Sequence, residues 1–254
     1  MKLIHKVEDC AVYKGNDSTY LLKIPSSPEL LRTIKDAGTI KHIIKKSTNA
    51  TSTSDTLKFK ATRVESLKQF IEKMHDKNMD GLNYTLVLKL LADVGTLLQY
   101  AMSEYGRAIP FFSLEDIIVI ENANENHDNH DDAATTTTEE PIFNFVFING
   151  EKMLQTSREN ALRVDVPLQV NKQTSFLPIE LAESELKHLP INVTTTSWLY
   201  SLSSLCIYAL LNYKFKNGED DIERIGRPFL HTSLYFCLKR CMKSKPEKRV
   251  LLYV

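Results

Sequence analysis

Three groups of residues have the types and spacing that chemistry asks for, and each also has a plainer reading. His127-Asp128-Asn129-His130-Asp131-Asp132 combines the imidazoles and carboxylates of a metal site. It lies within Glu121 to Glu140, a tract with no apolar residue larger than alanine, so nothing would orient the ligands; the tract reads as a solvated, disordered insertion at about 121–140. Glu115 and Asp116 are adjacent acids at the entrance of an apolar run, suited to binding a proton or a cation, or simply to solvation. Lys239, Arg240, Lys243, Lys245, Lys248 and Arg249 form a basic cluster that could meet phosphate or an acidic partner, but reads more simply as a solvated helix face. The threonines Thr135 to Thr138 beside Glu139 are phosphorylatable, yet tracts of this composition commonly act as spacers. His5, His42, His75, His188 and His231 are scattered, with no serine or cysteine nucleophile at motif spacing, so no hydrolase triad is indicated.

The chain that must position these groups has 254 residues, 43% of them hydrophobic and 25% charged, an ordinary globular composition with enough length for a substantial core. Lys plus Arg and Asp plus Glu both number 32, and this balance argues against a dedicated nucleic-acid or membrane-surface protein. Cys10 stands alone, Cys206 lies in an apolar run, and Cys237 and Cys241 are four apart on a helical pattern, which suits buried reduced thiols. The first ten residues hold no apolar core of signal-peptide length, and no uncharged stretch has the unbroken apolar character of a membrane span. The expectation is an intracellular protein, cytoplasmic or nuclear.

Short β-prone runs fill the first 24 residues, with a turn at Gly15-Asn16-Asp17. Ser27-Pro28-Glu29 opens a helix carrying Leu30, Leu31 and Ile34, ended by Gly38. Leu57 to Ala61 alternates as a half-buried strand. From Glu65 the pattern turns helical, first through Leu67, Phe70, Ile71 and Met74, then over Leu82 to Tyr100. Leu114–Ile120 and Ile142–Ile148 read as strands, and Asn149-Gly150 is a strong hairpin-turn dipeptide. Ser197–Leu211 is the longest apolar helix, and the last helical pair surrounds Cys237 and Arg249. No internal repeat is visible.

This order of elements resembles a eukaryotic-type protein kinase, and four strings carry the resemblance across nearly the whole chain. Cys237 to Met242 followed by Lys245-Pro246-Glu247-Lys248-Arg249 is similar to the family's segment ending in Asp-Pro-x-x-Arg. Phe176-Leu177-Pro178-Ile179-Glu180-Leu181 is similar to the Ala-Pro-Glu end of the activation segment, so the resemblance implies a structural ion pair between Glu180 and Arg249. Trp198 to Ser203 and the apolar run after it resemble the family's central buried helix. Arg63 to Ile71 resembles the hinge and the helix after it.

Against that family's pattern the phosphoryl-transfer residues are missing. Lys6 to Val12 holds no glycine to cradle phosphates. Aligning Pro110 to Ile117 with the catalytic loop places Phe112 at the base aspartate and Ile117 at the metal-binding asparagine. Ile148-Asn149-Gly150 stands for Asp-Phe-Gly, and Trp198 replaces the aspartate that braces the loop. Tyr20 to Ile24 resembles the strand of the phosphate-contacting lysine, which makes Lys23 a cofactor-binding candidate with Glu29 as a conceivable helix partner.

The sequence therefore predicts an α+β, two-lobed protein-kinase-like fold, with a small β-rich N-lobe over 1–64 and a larger helical C-lobe over 65–254. The function expected is that of a catalytically inactive pseudokinase, not an enzyme, with degenerate positions Phe112, Ile117 and Ile148. It would serve as a scaffold or regulatory subunit with protein partners, and no cofactor, metal, nucleic acid or membrane. The alternatives are an ATP-binding protein or weak phosphotransferase using Lys23 with Glu115 or Asp116, and an unrelated α+β interaction domain.

Overall fold

The computed structural model describes residues 1–37, 52–53, 56–76, 81–122, 141–157, 159, 161–165, 168–171, 173–183, 189–216 and 220–251. Strand alternation builds the first sheet. β1 (Lys2–Val7), β2 (Cys10–Lys14) and β3 (Thr19–Lys23) form an antiparallel meander, and after α1 (Pro28–Asp36) it is completed by β4 (Ser52–Thr53) and β5 (Thr56–Lys60), in the order β1-β2-β3-β5-β4. Cys10, Val12, Tyr20, Leu22, Leu57 and Phe59 face inward while Lys23, Lys58 and Lys60 stay exposed, the half-buried pattern of a sheet with one wet face. Ser27 caps α1, its hydroxyl accepting from the Leu30 amide at 3.2 Å. Gly38, expected to end α1, lies outside the described residues; the last helical residue is Asp36.

The helical lobe begins one element later than its sequence pattern suggests. Arg63–Ser66 is a strand, β6, although the periodicity turns helical at Glu65, because this segment joins a three-stranded antiparallel sheet. α2 (Leu67–Asp76) comes next, opened by a capping box in which Ser66 and Gln69 exchange side-chain-to-backbone bonds, both 3.2 Å. α3 (Tyr84–Tyr105) is capped by Asn83 and closed by Gly106, whose φ of 58° is the left-handed conformation glycine adopts at little cost. At 22 residues α3 has the length of a membrane span, but Lys89 and Asp93 lie within it and half of its most apolar window is buried in the fold.

Two short strands, β7 (Arg107–Ala108) and β8 (Phe112–Ser113), lead to a 3-10 turn at Leu114–Asp116 and then β9 (Ile117–Asn122). β10 (Ile142–Phe147) completes the sheet, ordered β10-β9-β6. Glu121 and Asn122, placed by sequence in the insertion, belong to β9; the His127–Asp132 cluster and Thr135–Thr138 lie outside the described residues. Asn149-Gly150 does not make a hairpin. The chain enters a 3-10 turn at Gly150–Lys152 and runs on to β11 (Leu154–Gln155), which pairs with β7.

β12 (Ala161–Val164) pairs with β14 (Ile191–Thr194), and β13 (Ser175–Phe176) pairs with β8. Helices make up most of the remaining described chain: α4 (Ile179–Glu183), α5 (Ser197–Leu211), the short α6 (Ile222–Ile225) and α7 (Ser233–Cys241). α5 is buried on nearly every face, from Trp198 through Ala209, and is the post around which the larger lobe packs.

Candidate functional site

The two sheets and the 3-10 turns converge on a cleft of about 310 Å³ between the lobes, lined by Lys6 and Val7 at the end of β1, by Glu8 in the turn after it, and by Ser113, Asp116, Asn149 and Lys152 from the lobe below. Asp116 is its anchor. The residue is 1% exposed, and both carboxylate oxygens are used. Oδ1 accepts from Asn149 Nδ2 at 2.8 Å, while Oδ2 accepts from Lys152 Nζ at 2.6 Å and from the Ser113 amide at 2.7 Å. The last bond exists because Leu114–Asp116 is a 3-10 turn, which folds Asp116 back onto the residue that caps it.

Lys152 arrives from the other side. The turn at Gly150–Lys152 carries its side chain inward, leaving it 4% exposed, with Nζ 3.0 Å from Ser113 Oγ and 4.2 Å from the centroid of the Phe111 ring. Breaking a buried ion pair on one side leaves a charge unpaired, at a cost of about 3–5 kcal/mol, so Asp116 and Lys152 hold each other in place.

Contacts between the lobes close the rest of the cleft. His5 of β1 bonds through Nε2 to the Glu115 carbonyl at 2.7 Å, and the Gly150 amide donates to the Cys10 thiol at 3.4 Å. Burial pushes that thiol up to about 12, against the lowering effect of the Gly150 bond. A side chain at Gly150 would have its Cβ 2.4 Å from Ser26 Oγ and 2.9 Å from Ile24 Cγ2, so glycine is required by this close approach. Beside Lys152 in the chain, burial first, then Glu8 and Asp9, hold the Glu151 carboxyl above its usual range.

Phe112, Ile117 and Ile148 are fully buried core residues. Their polar neighbours reach the cleft instead: Asp116, one residue before Ile117, and its partner Asn149, one residue after Ile148. Glu115 also lines the cleft, with its carboxylate 3.6 Å from Lys68. Lys23 is exposed at the end of β3, and Glu29 lies 3.9 Å from Arg107. Arg249 donates to both oxygens of Glu180, at 2.7 and 2.8 Å, with its side chain fully buried.

Two site residues escaped the sequence reading. Ser201 of α5 accepts the Phe112 amide at 2.7 Å and donates to the Phe176 carbonyl at 2.5 Å, so it braces the loop before β9 although Trp198 carries no acid. A serine in the middle of a wholly buried apolar helix was the available signal, since a buried hydroxyl needs partners. Lys152 followed a turn dipeptide and gave no signal of burial.

A kinase-like fold implies a divalent cation between the two polar residues of such a cleft, and the residues present do not fit one. Magnesium asks for oxygen ligands in near-octahedral geometry. A carboxylate can only accept, so Asn149 must turn its amide nitrogen toward Asp116, and its oxygen is buried facing elsewhere without a partner among the described residues. The ammonium of Lys152 already stands against Asp116, and at an effective dielectric near 20 two unit charges about 4 Å apart repel by about 4 kcal/mol.

No protein-family model matches the chain, and no curated protein does. Among solved structures, the kinase domain of Mycobacterium tuberculosis PknI, in a form with one cysteine replaced by alanine, is similar over 98% of this chain and 88% of its own, at 13% identity and a TM-score of 0.50. The unmutated PknI kinase domain matches 98% of this chain and 89% of its own at 12% identity, with a TM-score of 0.47. The chain thus has the two-lobed α+β protein-kinase-like fold, and the alternative of an unrelated α+β interaction domain falls away. The expectation of a non-enzyme stripped of its acids is corrected as well. The similar folds are kinase domains, and an acid, Asp116, does stand in the cleft, next to the Ile117 that the sequence reading set at the metal-binding position.

Proposed function

We propose that this kinase-like domain works principally by binding protein partners, as a scaffold or regulatory subunit inside the cell. The observation that supports the reading is the saturation of the cleft's buried carboxylate, Asp116. Both oxygens of Asp116 are engaged by Lys152, Asn149 and Ser113, and the lobes meet directly through His5–Glu115 and Cys10–Gly150. Four buried free cysteines agree with a reducing compartment.

A second reading, phosphoryl transfer at an atypical site, is favoured by the contact of Asp116 with Asn149 inside a kinase-like cleft. Comparing the wild-type chain with Asp116→Asn separates the two. Scaffolding predicts that neither protein moves labelled phosphate from ATP to protein above background. Transfer predicts labelled phosphate moving from ATP to protein in the wild type and at least about 100-fold less in the variant, the usual cost of removing a positioned acid or base.

A further inference from the structure

The cleft has a cation of its own. We propose that Lys152 is that resident cation, its ammonium taking the place of a divalent ion against Asp116, so that whatever occupies the cleft is bound without a metal. This holds whether or not the cleft receives a protein partner, since only the charge that faces Asp116 is at issue.

Three observations carry it. The ammonium is placed like a bound ion: it contacts one carboxylate oxygen at 2.6 Å and one hydroxyl oxygen at 3.0 Å, and lies over the face of an aromatic ring at 4.2 Å. It is delivered by the Gly150–Lys152 turn after β10, while Asp116 comes from the turn that precedes β9, so one side chain ties together the two chain segments that flank the cleft floor. Finally, the pair is shut away from water, with the Lys152 side chain 4% and the Asp116 side chain 1% exposed, so the ammonium is the charge that neutralises this carboxylate.

The consequence for metal binding is specific. With Lys152 in place, Asp116 is a satisfied anion and has no use for Mg²⁺ or Mn²⁺. With Lys152 removed, Asp116 becomes a buried carboxylate with no counter-charge, in a polar pocket beside Ser113 and Asn149. A hard cation would then relieve it, with an affinity in the millimolar range expected of a site with few ligands.

The test is thermal unfolding of the full chain with metal alone, as MgCl₂ or MnCl₂ up to about ten times a millimolar dissociation constant. The wild-type midpoint is expected to stay put. Lys152→Ala is expected to start from a lower midpoint and to rise by about 3 °C with MnCl₂, and Asp116→Asn added to Lys152→Ala is expected to abolish that rise. A wild-type midpoint that climbs with MnCl₂ and loses the climb in Asp116→Asn would overturn the inference, as would a folded Lys152→Ala that ignores metal. Should Lys152→Ala fail to fold, paramagnetic resonance of free Mn²⁺ titrated with wild-type chain decides: unaltered free signal supports the resident cation, and signal lost to a site sensitive to Asp116→Asn refutes it.

Discussion

Arg249 donates its two terminal nitrogens to the two carboxylate oxygens of Glu180, residues 69 apart in sequence, and the guanidinium lies 5.0 Å from the centroid of the Tyr200 ring. Two further donors go to the Lys243 carbonyl at 2.8 Å and the Ser244 carbonyl at 3.3 Å, while Ser197 of α5 donates to Glu180 at 2.6 Å. One bidentate pair therefore fastens α4, the start of α5 and the segment after α7. A double-mutant cycle on Glu180→Gln and Arg249→Met should give a coupling of about 2–4 kcal/mol in urea denaturation, with each single change costing at least as much. Additive effects would mean that the pair does not fasten these segments.

The same pair sets an acid limit. Burial opposes ionisation of Glu180, but the bonds from Arg249 and Ser197 prevail and hold its carboxyl below the usual value of 4.5. A lowered folded-state value stabilises the fold above the unfolded value and is lost as pH falls through the folded one. Wild type should therefore exceed Glu180→Gln in urea midpoint at neutral pH, and that advantage should shrink below about pH 4.5. Parallel urea titrations at neutral and acid pH measure it directly.

Much of the fold was legible in these residues. Ser27 with Pro28 marked the start of α1, and the bounds Ser197–Leu211 emerged from continuous apolarity, because both signals are local. The order of strands and helices was enough to point to the kinase-like fold. The floor of the cleft was not legible. Leu114 to Ile120 looked like one strand, and only Ser113's bond to Asp116 shows that its first three residues are a 3-10 turn, which moves the acid into the cleft. Asn149-Gly150 favours a hairpin on its own, but the approach of Ser26 and Ile24 to Gly150 decides otherwise, and that contact joins residues more than a hundred positions apart.

That approach makes its own prediction. Gly150→Ala puts a Cβ 2.4 Å from Ser26 Oγ, 2.9 Å from Ile24 Cγ2 and 3.0 Å from Ser27 Cβ at once, so these side chains have to give way. A loss of about 1–3 kcal/mol is expected, with faster amide exchange at Cys10 and Ile24, where the lobes meet. Unchanged exchange there would show that the lobes are not held through Gly150.

Ser201→Ala removes a donor and an acceptor in one step, leaving the Phe112 amide and the Phe176 carbonyl without their bonds. The cost should be about 2–4 kcal/mol, two unmet buried groups. Ser201→Asn, large enough to bond again but too bulky for the site, should not restore the loss, whereas Ser201→Thr should restore most of it.

Burial also predicts the behaviour of the thiols. All four cysteines are free and buried, and Cys10 ionises only at about 12. Iodoacetamide at about pH 8 should leave the native chain almost unmodified and alkylate all four after unfolding. Rapid labelling of Cys10 in the native chain would show that the contact between the lobes opens readily.

The central claim, that this kinase-like cleft serves binding and not a metal-bound nucleotide, is tested most directly by a thermal-unfolding titration with ATP, with and without Mg²⁺. A ligand at about 100 times its dissociation constant adds about 2.7 kcal/mol of stability, which for a domain of this size shifts the midpoint by about 5–10 °C. The account predicts no Mg²⁺-dependent shift at millimolar ATP. A shift of that size requiring Mg²⁺ and lost in Lys23→Ala would contradict it and make phosphoryl transfer the leading reading.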